Sequence, residues 1–224
     1  MRDATVVFDL DGTLVDTAPD LIHAANHVLE LCGIPAVAPA DLRPWISFGA
    51  RRMIIEGLRQ SGMEKTDEDV DQLLASFLSH YSENIAATSR PFEGARDVIG
   101  RLRIAGSRLA ICTNKRETLS RQLLTELAWL DSFDALAGRD TFPVCKPHPD
   151  HLFGAVKLAG GELTRAIMVG DSPTDVATAR AAGIKVIAVS FGYTEVPPED
   201  LGADILIHHY GQLEQALQEL LGSD

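Results

Sequence analysis

Asp9-Leu10-Asp11-Gly12-Thr13, set directly after the apolar run Val6-Val7-Phe8, decides how this chain reads. A short strand that ends in two carboxylates one residue apart is an unusual object. Alternate residues of an extended segment share a face, so both acids are aimed at one place. Gly12 lets the backbone turn sharply straight after them. Carboxylates this close repel each other and favour a shared proton or a bound cation. Calcium loops also alternate Asp with Gly. Here, however, Leu14-Val15 follow and no Glu closes the loop, which disfavours an EF-hand.

Later stretches repeat the pattern of an apolar strand running into a polar end. Leu109-Ala110-Ile111-Cys112 leads into Thr113-Asn114, and Ala166-Ile167-Met168-Val169 leads into Gly170-Asp171-Ser172-Pro173-Thr174-Asp175. Between them lies Lys146, in the proline-stiffened segment Val144-Cys145-Lys146-Pro147-His148-Pro149. Ligands of an open parallel sheet sit outside the carboxyl ends of its strands. Acids, a hydroxyl and an ammonium at such ends can therefore converge on one ligand. The order Asp-x-Asp-Gly-Thr, Thr, Lys, Gly-Asp-x-x-x-Asp resembles the haloacid dehalogenase superfamily, and specifically its phosphatases.

Composition narrows the classes. The 224 residues suffice for one large domain or a domain with an insertion. Apolar residues make up 46% and charged residues 23%, ordinary for a globular protein. No apolar run reaches the ~20 residues of a membrane helix. The N-terminus leads straight into a strand, so no signal peptide is expected. Cys32, Cys112 and Cys145 are few and odd in number, which suggests a reducing cytoplasm rather than a disulfide framework. The net charge of −12 argues against nucleic acid or an anionic membrane as a partner. It also requires a phosphate site to reverse the field locally, as a divalent cation beside Lys146 does. Monomer and homodimer both stay open.

After Val15 the period changes. Asp16 or Thr17 is expected to cap a helix with Pro19 in its first turn, followed by apolar residues at helical spacing from Leu21 to Cys32. Further helices are expected near 39–46, 50–61 and 67–86, then a polar linker, Thr88 to Gly94. Residues 16–88 thus read as an all-helical insertion into a discontinuous core, 1–15 and 89–224. In that core, helices at 94–105, 116–128, 149–159, 173–182 and 211–221 alternate with strands at 108–112, 133–137, 166–169, 185–189 and 204–207. The fold class is α/β, a Rossmann-like parallel sheet with helices on both faces plus a helical cap after the first strand.

The layout resembles that family, which places a mobile helical cap after its first motif. The chain looks most like its phosphoglycolate phosphatases. The matching stretches are Thr113-Asn114-Lys115, Lys146-Pro147-His148-Pro149, Gly170-Asp171-Ser172 with Asp175, Ala179 to Gly183, Phe191-Gly192-Tyr193, and in the cap Trp45-Ile46 and Gly49-Ala50. Ser47-Phe48 departs from the Gly and small polar residue expected in that cap loop.

The resemblance implies an enzyme in which Asp9 is the nucleophile and forms an aspartyl-phosphate. Asp11 is then the general acid and base, Lys146 neutralises the transferring group, and Thr113 donates a hydrogen bond to it. Mg²⁺ is the implied cofactor, held by the side chains of Asp9 and Asp171 and the backbone carbonyl of Asp11. Asp175 either binds the metal through water, orients Lys146, or is merely an acid favoured at a helix terminus. Thr13 is expected either to orient Asp9 or to serve only the turn. Gly12 and the backbone N–H groups after Asp9 complete a phosphate cradle. Asn114 either holds the phosphate loop or caps helix 116–128, the latter being preferred. Arg51 either pairs with a substrate carboxylate or is a solvated surface residue. Lys115 and Arg116 are expected to face solvent near the site entrance, and His148 to be a loop histidine. The implied substrate is a small phosphate monoester, 2-phosphoglycolate first. A sugar phosphate or pyrophosphate, a phosphomutase reaction, and a catalytically dead binding module are the alternatives.

Overall fold

The computed structural model describes residues 1–222. The chain divides into two compact units, Met1–Asp16 together with the chain from Pro91 onward, and Thr17–Arg90.

The first unit is built on six parallel strands. These are β1 (Thr5–Phe8), β2 (Arg108–Cys112), β3 (Ala135–Ala137), β4 (Ala166–Gly170), β5 (Lys185–Val189) and β6 (Ile205–Ile207). Their order is β3-β2-β1-β4-β5-β6, the expected parallel α/β sheet. Strands so short hold because both faces are covered. Val7, Ala110, Cys112, Met168, Val186 and Ala188 pack with Leu152, Ala155, Val156, Val176 and Ala179 of the helices Pro149–Leu158 and Pro173–Ala182. The alternate residues Val6, Phe8, Leu109, Ile111, Val169 and Ile187 point the other way and are equally buried. Each fully buried side chain of this size contributes about 1.5–3 kcal/mol.

Register places the functional ends side by side. Phe8 is level with Ile111 of β2 and with Val169 of β4. Asp9 follows Phe8 directly, and Thr113 and Asp171 each lie two residues beyond their partners. Three strand ends at the centre of the sheet therefore carry an acid, a hydroxyl and an acid on one edge.

The second unit is helical, with α-helices Ala18–Leu31, Pro39–Leu42, Ala50–Gln60 and Asp67–Glu83. The helix expected over 39–46 stops at Leu42. Pro44 follows, and the chain continues as a tighter 3₁₀ turn, Arg43–Phe48, that ends at Gly49 with φ +88°. Neither Asp16 nor Thr17 caps the first helix. Thr17 makes no side-chain cap bond, and Asp16 accepts a hydrogen bond from the Tyr193 hydroxyl instead. Gly57 sits where a Cβ would fall 2.5 Å from Leu29 Cδ1, so its absence lets two helices touch. The buried Asp20 carboxylate accepts hydrogen bonds from the backbone N–H groups and hydroxyls of Thr88 and Ser89. It joins the two ends of the unit.

Candidate active site

Asp9 leaves β1 with its Oδ1 accepting the Leu10 N–H at 2.7 Å. The chain then turns at Gly12, φ +83°, whose N–H reaches Val15 O. Lys146 arrives from the loop before the helix Pro149–Leu158. Its ammonium stands 2.9 Å from Asp9 Oδ1 and 2.6 Å from Asp175 Oδ1, and all three side chains are buried or nearly so. Asp171, at the end of β4, accepts the Thr13 hydroxyl on Oδ1 and the Tyr193 N–H on Oδ2, each at 2.7 Å. One oxygen from each of Asp9, Asp171 and Asp175 lies within 4.8 Å of the others.

Asp175 does more than sit at a helix terminus. Its Oδ2 accepts the N–H groups of Asp171 and Ser172 and the Ser172 hydroxyl, while Ser172 Oγ accepts the Asp175 N–H. This is a capping box. With Oδ1 on Lys146, the carboxylate is committed on both oxygens. Its geometry is that of a Lys146 partner.

The charges do not balance. Three buried carboxylates face one buried ammonium. Burial foremost, then Asp175 and Asp9, push Asp171 up to about 8 against the hydrogen bonds from Tyr193 and Thr13. Burial pushes Asp9 up to about 6, with Lys146 pulling the other way and Asp175 adding to the rise. For Lys146, burial favours the neutral amine, but Asp175 and Asp9 outweigh it and hold the pKa above the ordinary lysine value. Ionised together, the three carboxylates leave two negative charges uncompensated on hard oxygen donors, which suits a small divalent cation. The surroundings leave space beside Asp171 that side chains would fill. A Cβ at Gly12 would lie 2.5 Å from Asp171 Oδ2, and one at Gly192 2.2 Å from Asp171 Cβ. The residues present fit a bound Mg²⁺.

The "Haloacid dehalogenase-like hydrolase" family model matches residues 6–189, which include every group just described except Gly192 and Tyr193. The chain belongs to that family.

Relatives of this haloacid dehalogenase-like hydrolase span its whole length. A phosphoglycolate phosphatase of Mesorhizobium japonicum is 45% identical over 99% of this chain and 97% of its own. One of Caulobacter vibrioides is 42% identical over 100% and 94%. The crystal structure of a predicted phosphoglycolate phosphatase from Haemophilus somnus superposes with a TM-score of 0.88 at 26% identity, over 97% of this chain and 99% of that one. The chain is therefore an enzyme that falls among the phosphatases of its family. Among the described residues, no helix is long and apolar enough to cross a membrane.

Several expected roles change. Thr13 donates to Asp171, not to Asp9. Asn114 caps no helix. The helix Glu117–Glu126 starts at Arg116 without a side-chain cap, and Asn114 Nδ2 donates to Lys146 O at 3.0 Å. Lys115 does not face solvent. Its side chain is 6% exposed, and its ammonium pairs with Asp11 Oδ1 at 2.8 Å. Buried Thr113 accepts the Lys115 N–H at 3.2 Å. His148 caps the helix Pro149–Leu158, accepting the Asp150 N–H on Nδ1. Arg51 belongs to the helical unit, where it pairs with Asp67 at 2.7 Å and Asp71 at 3.2 Å. His151 carried no expectation at all, yet it is fully buried and touches Lys146.

Proposed function

We propose that the protein is a Mg²⁺-dependent phosphatase that hydrolyses 2-phosphoglycolate to glycolate and phosphate in the cytoplasm. Residues 1–15 and 89–224 act as the phosphatase core and 16–88 as its cap. The observation that carries the reading is the single ammonium of Lys146 held between Asp9 and Asp175, beside Asp171 and with negative charge left over.

Asp9 is the nucleophile. Its carboxylate attacks phosphorus and becomes an aspartyl-phosphate, which replaces one difficult displacement by two easier ones. Lys146 faces the attacking oxygen and neutralises charge on the transferring group, and Thr113 donates its hydroxyl hydrogen to that group. Asp11 protonates the leaving alkoxide and then takes the proton of the attacking water, a contribution of about 10²–10⁴-fold. Lys115 holds Asp11 by one oxygen and so orients it. Gly12 and Thr13 shape the turn, and Asn114 steadies the loop that carries Lys146. The side chains of Asp9 and Asp171 and the Asp11 carbonyl would hold Mg²⁺, which screens the repulsion between carboxylate and phosphate. Asp175 serves Lys146 rather than the metal. Arg51 is the group proposed to meet the substrate carboxylate. Its bonds to the exposed Asp67 and Asp71 are worth little and are readily exchanged.

A panel of phosphate esters assayed with Mg²⁺ and with EDTA tests the proposal. The expected ranking by kcat/KM puts 2-phosphoglycolate above sugar phosphates, pyrophosphate and an aryl phosphate. Asp9→Asn is expected to abolish turnover with the fold intact, and full activity in that variant refutes the assignment. A sugar phosphate or pyrophosphate at the head of the ranking moves the substrate and keeps the chemistry. Phosphoryl return to the sugar without inorganic phosphate indicates a mutase, and no EDTA-sensitive hydrolysis of any ester indicates a binding module.

A further inference from the structure

Lysine carries its charge on a flexible four-carbon stem. Placing an ammonium between two buried carboxylates therefore requires the backbone at its root to be fixed. In the stretch around Lys146, Pro147 and Pro149 offer no N–H, and the turn bond, His148 N–H to the Cys145 carbonyl at 2.9 Å, engages neither peptide group of Lys146 itself. The anchors come from elsewhere. The Lys146 N–H donates to His151 Nδ1 at 3.1 Å, and the Lys146 carbonyl accepts from Asn114 Nδ2 at 3.0 Å. On the other side of its ring, His151 Nε2 lies 3.0 Å from the carbonyl of Gly138, the residue after β3. Phe142 packs edge-on against the ring.

The two contacts settle the ring's chemistry. An Nδ1 that accepts from an amide carries no proton, so Nε2 carries one and donates it to Gly138. Burial foremost, then the nearby Lys146 charge, pull His151 down to about 4, so the imidazole is neutral in ordinary buffers. A buried histidine bonded at both nitrogens has no capacity left for proton transfer. It does have the means to bridge two loops.

We infer that His151 is a positioning residue: its Nδ1 holds the Lys146 peptide, with Nε2 bracing the ring against the end of β3, and so aims the Lys146 ammonium between Asp9 and Asp175. The inference rests on the phosphoryl-transfer role proposed for Lys146.

Two near-isosteric variants separate the halves of the ring. In His151→Asn the side-chain oxygen takes the place of Nδ1 and keeps the bond to Lys146, while the bond to Gly138 is lost. In His151→Gln the amide nitrogen takes the place of Nε2 and keeps Gly138, while the bond to Lys146 is lost. His151→Leu loses both. With the ester that wild type turns over best, Asn is expected to keep kcat within about threefold. Gln and Leu are expected to fall about 10- to 100-fold, the scale of misplacing a catalytic group by about 1 Å. Thermal midpoints measured alongside separate this ordering from loss of fold, since both amide variants give up one bond. Gln equal to or above Asn in kcat, or all three near wild type, overturns the inference and leaves His151 a packing residue. ¹⁵N spectra of wild-type imidazoles give a readout that needs no variant. His151 must show a bare Nδ1 and a protonated Nε2, and the opposite tautomer overturns the clamp. Wild type inert on every ester defeats the functional reading instead, and the tautomer still judges the clamp.

Discussion

The metal-free protein is expected to lose stability as pH rises through neutrality, and Asp171 is the group responsible. Its carboxyl is pushed up to about 8 in the fold, chiefly by burial and then by Asp175 and Asp9, against 3.8 without the fold. The native state therefore holds a proton that the unfolded chain has released, and stability falls with rising pH until about pH 8. Below pH 6.5 the signal is mixed. Asp9 titrates there, at about 6, and His151, at about 4 in the fold, gains stability as the unfolded histidine deprotonates. Between pH 6.5 and 9 Asp171 dominates. A single site moving from mostly protonated to fully ionised across that window loses about 1.5–2 kcal/mol. The assay is urea unfolding in EDTA at half-unit pH steps. Asp171→Asn is expected to be flat over the same window, and saturating Mg²⁺ is expected to abolish the wild-type decline by neutralising the ionised cluster. A metal-free wild type whose stability is constant or rises from pH 6.5 to 9 refutes the account of excess buried charge.

Three further outcomes are expected. Asp11→Asn should lower kcat/KM, which reports the first half-reaction, on 2-phosphoglycolate by about 10²–10⁴-fold but far less on an aryl phosphate, whose leaving group needs no proton; equal losses in kcat/KM on both count against the general-acid role. Asp20→Ala leaves the buried Ser89 donors, and the half-buried Thr88 bonds, without their acceptor and should cost about 1–3 kcal/mol in denaturant unfolding, whereas an unchanged midpoint denies Asp20 that role. Burial raises the Asp20 pKa, but hydrogen bonds from Thr88 and Ser89 outweigh it and hold it below 3.8, so this stability is present above that value and is lost in acid. Gly192→Ala would place a methyl 2.2 Å from Asp171 Cβ, so Mg²⁺ affinity measured by calorimetry should drop; unaltered affinity means the segment yields easily.

The strands were legible because a parallel strand buried on both faces is a nearly continuous apolar run. The expected strand 108–112 coincides with Arg108–Cys112, and 185–189 with Lys185–Val189. Asp9, Asp11 and Asp171 were legible because each stands just beyond such a run, and Lys146 because it falls in its place in the order of motifs, in a proline-stiffened segment. What the residues could not disclose was who bonds to whom. Thr13 and Asp171 are 158 positions apart, and Lys115 and Asp11 are 104. No local pattern encodes which of two nearby acids a hydroxyl or an ammonium chooses. His151 left one signal, a polar residue on the same buried helix face as Leu152 and Ala155, and that signal reads equally well as a satisfied core histidine. The 3₁₀ turn at Arg43–Phe48 was missed because its apolar spacing imitates a helix while Pro44 forbids a regular one.

The clasp at Asp20 has a consequence for protein engineering. A stretch of chain that departs and returns through residues bonded to one carboxylate, 68 and 69 positions apart, behaves as a cassette with a fixed doorway. The closure of that long loop is secured within the cassette, and lengthening it adds only a slowly growing entropic cost. Foreign helical inserts of quite different size are therefore candidates for transplantation at this point, provided they bring their own clasp across the neck.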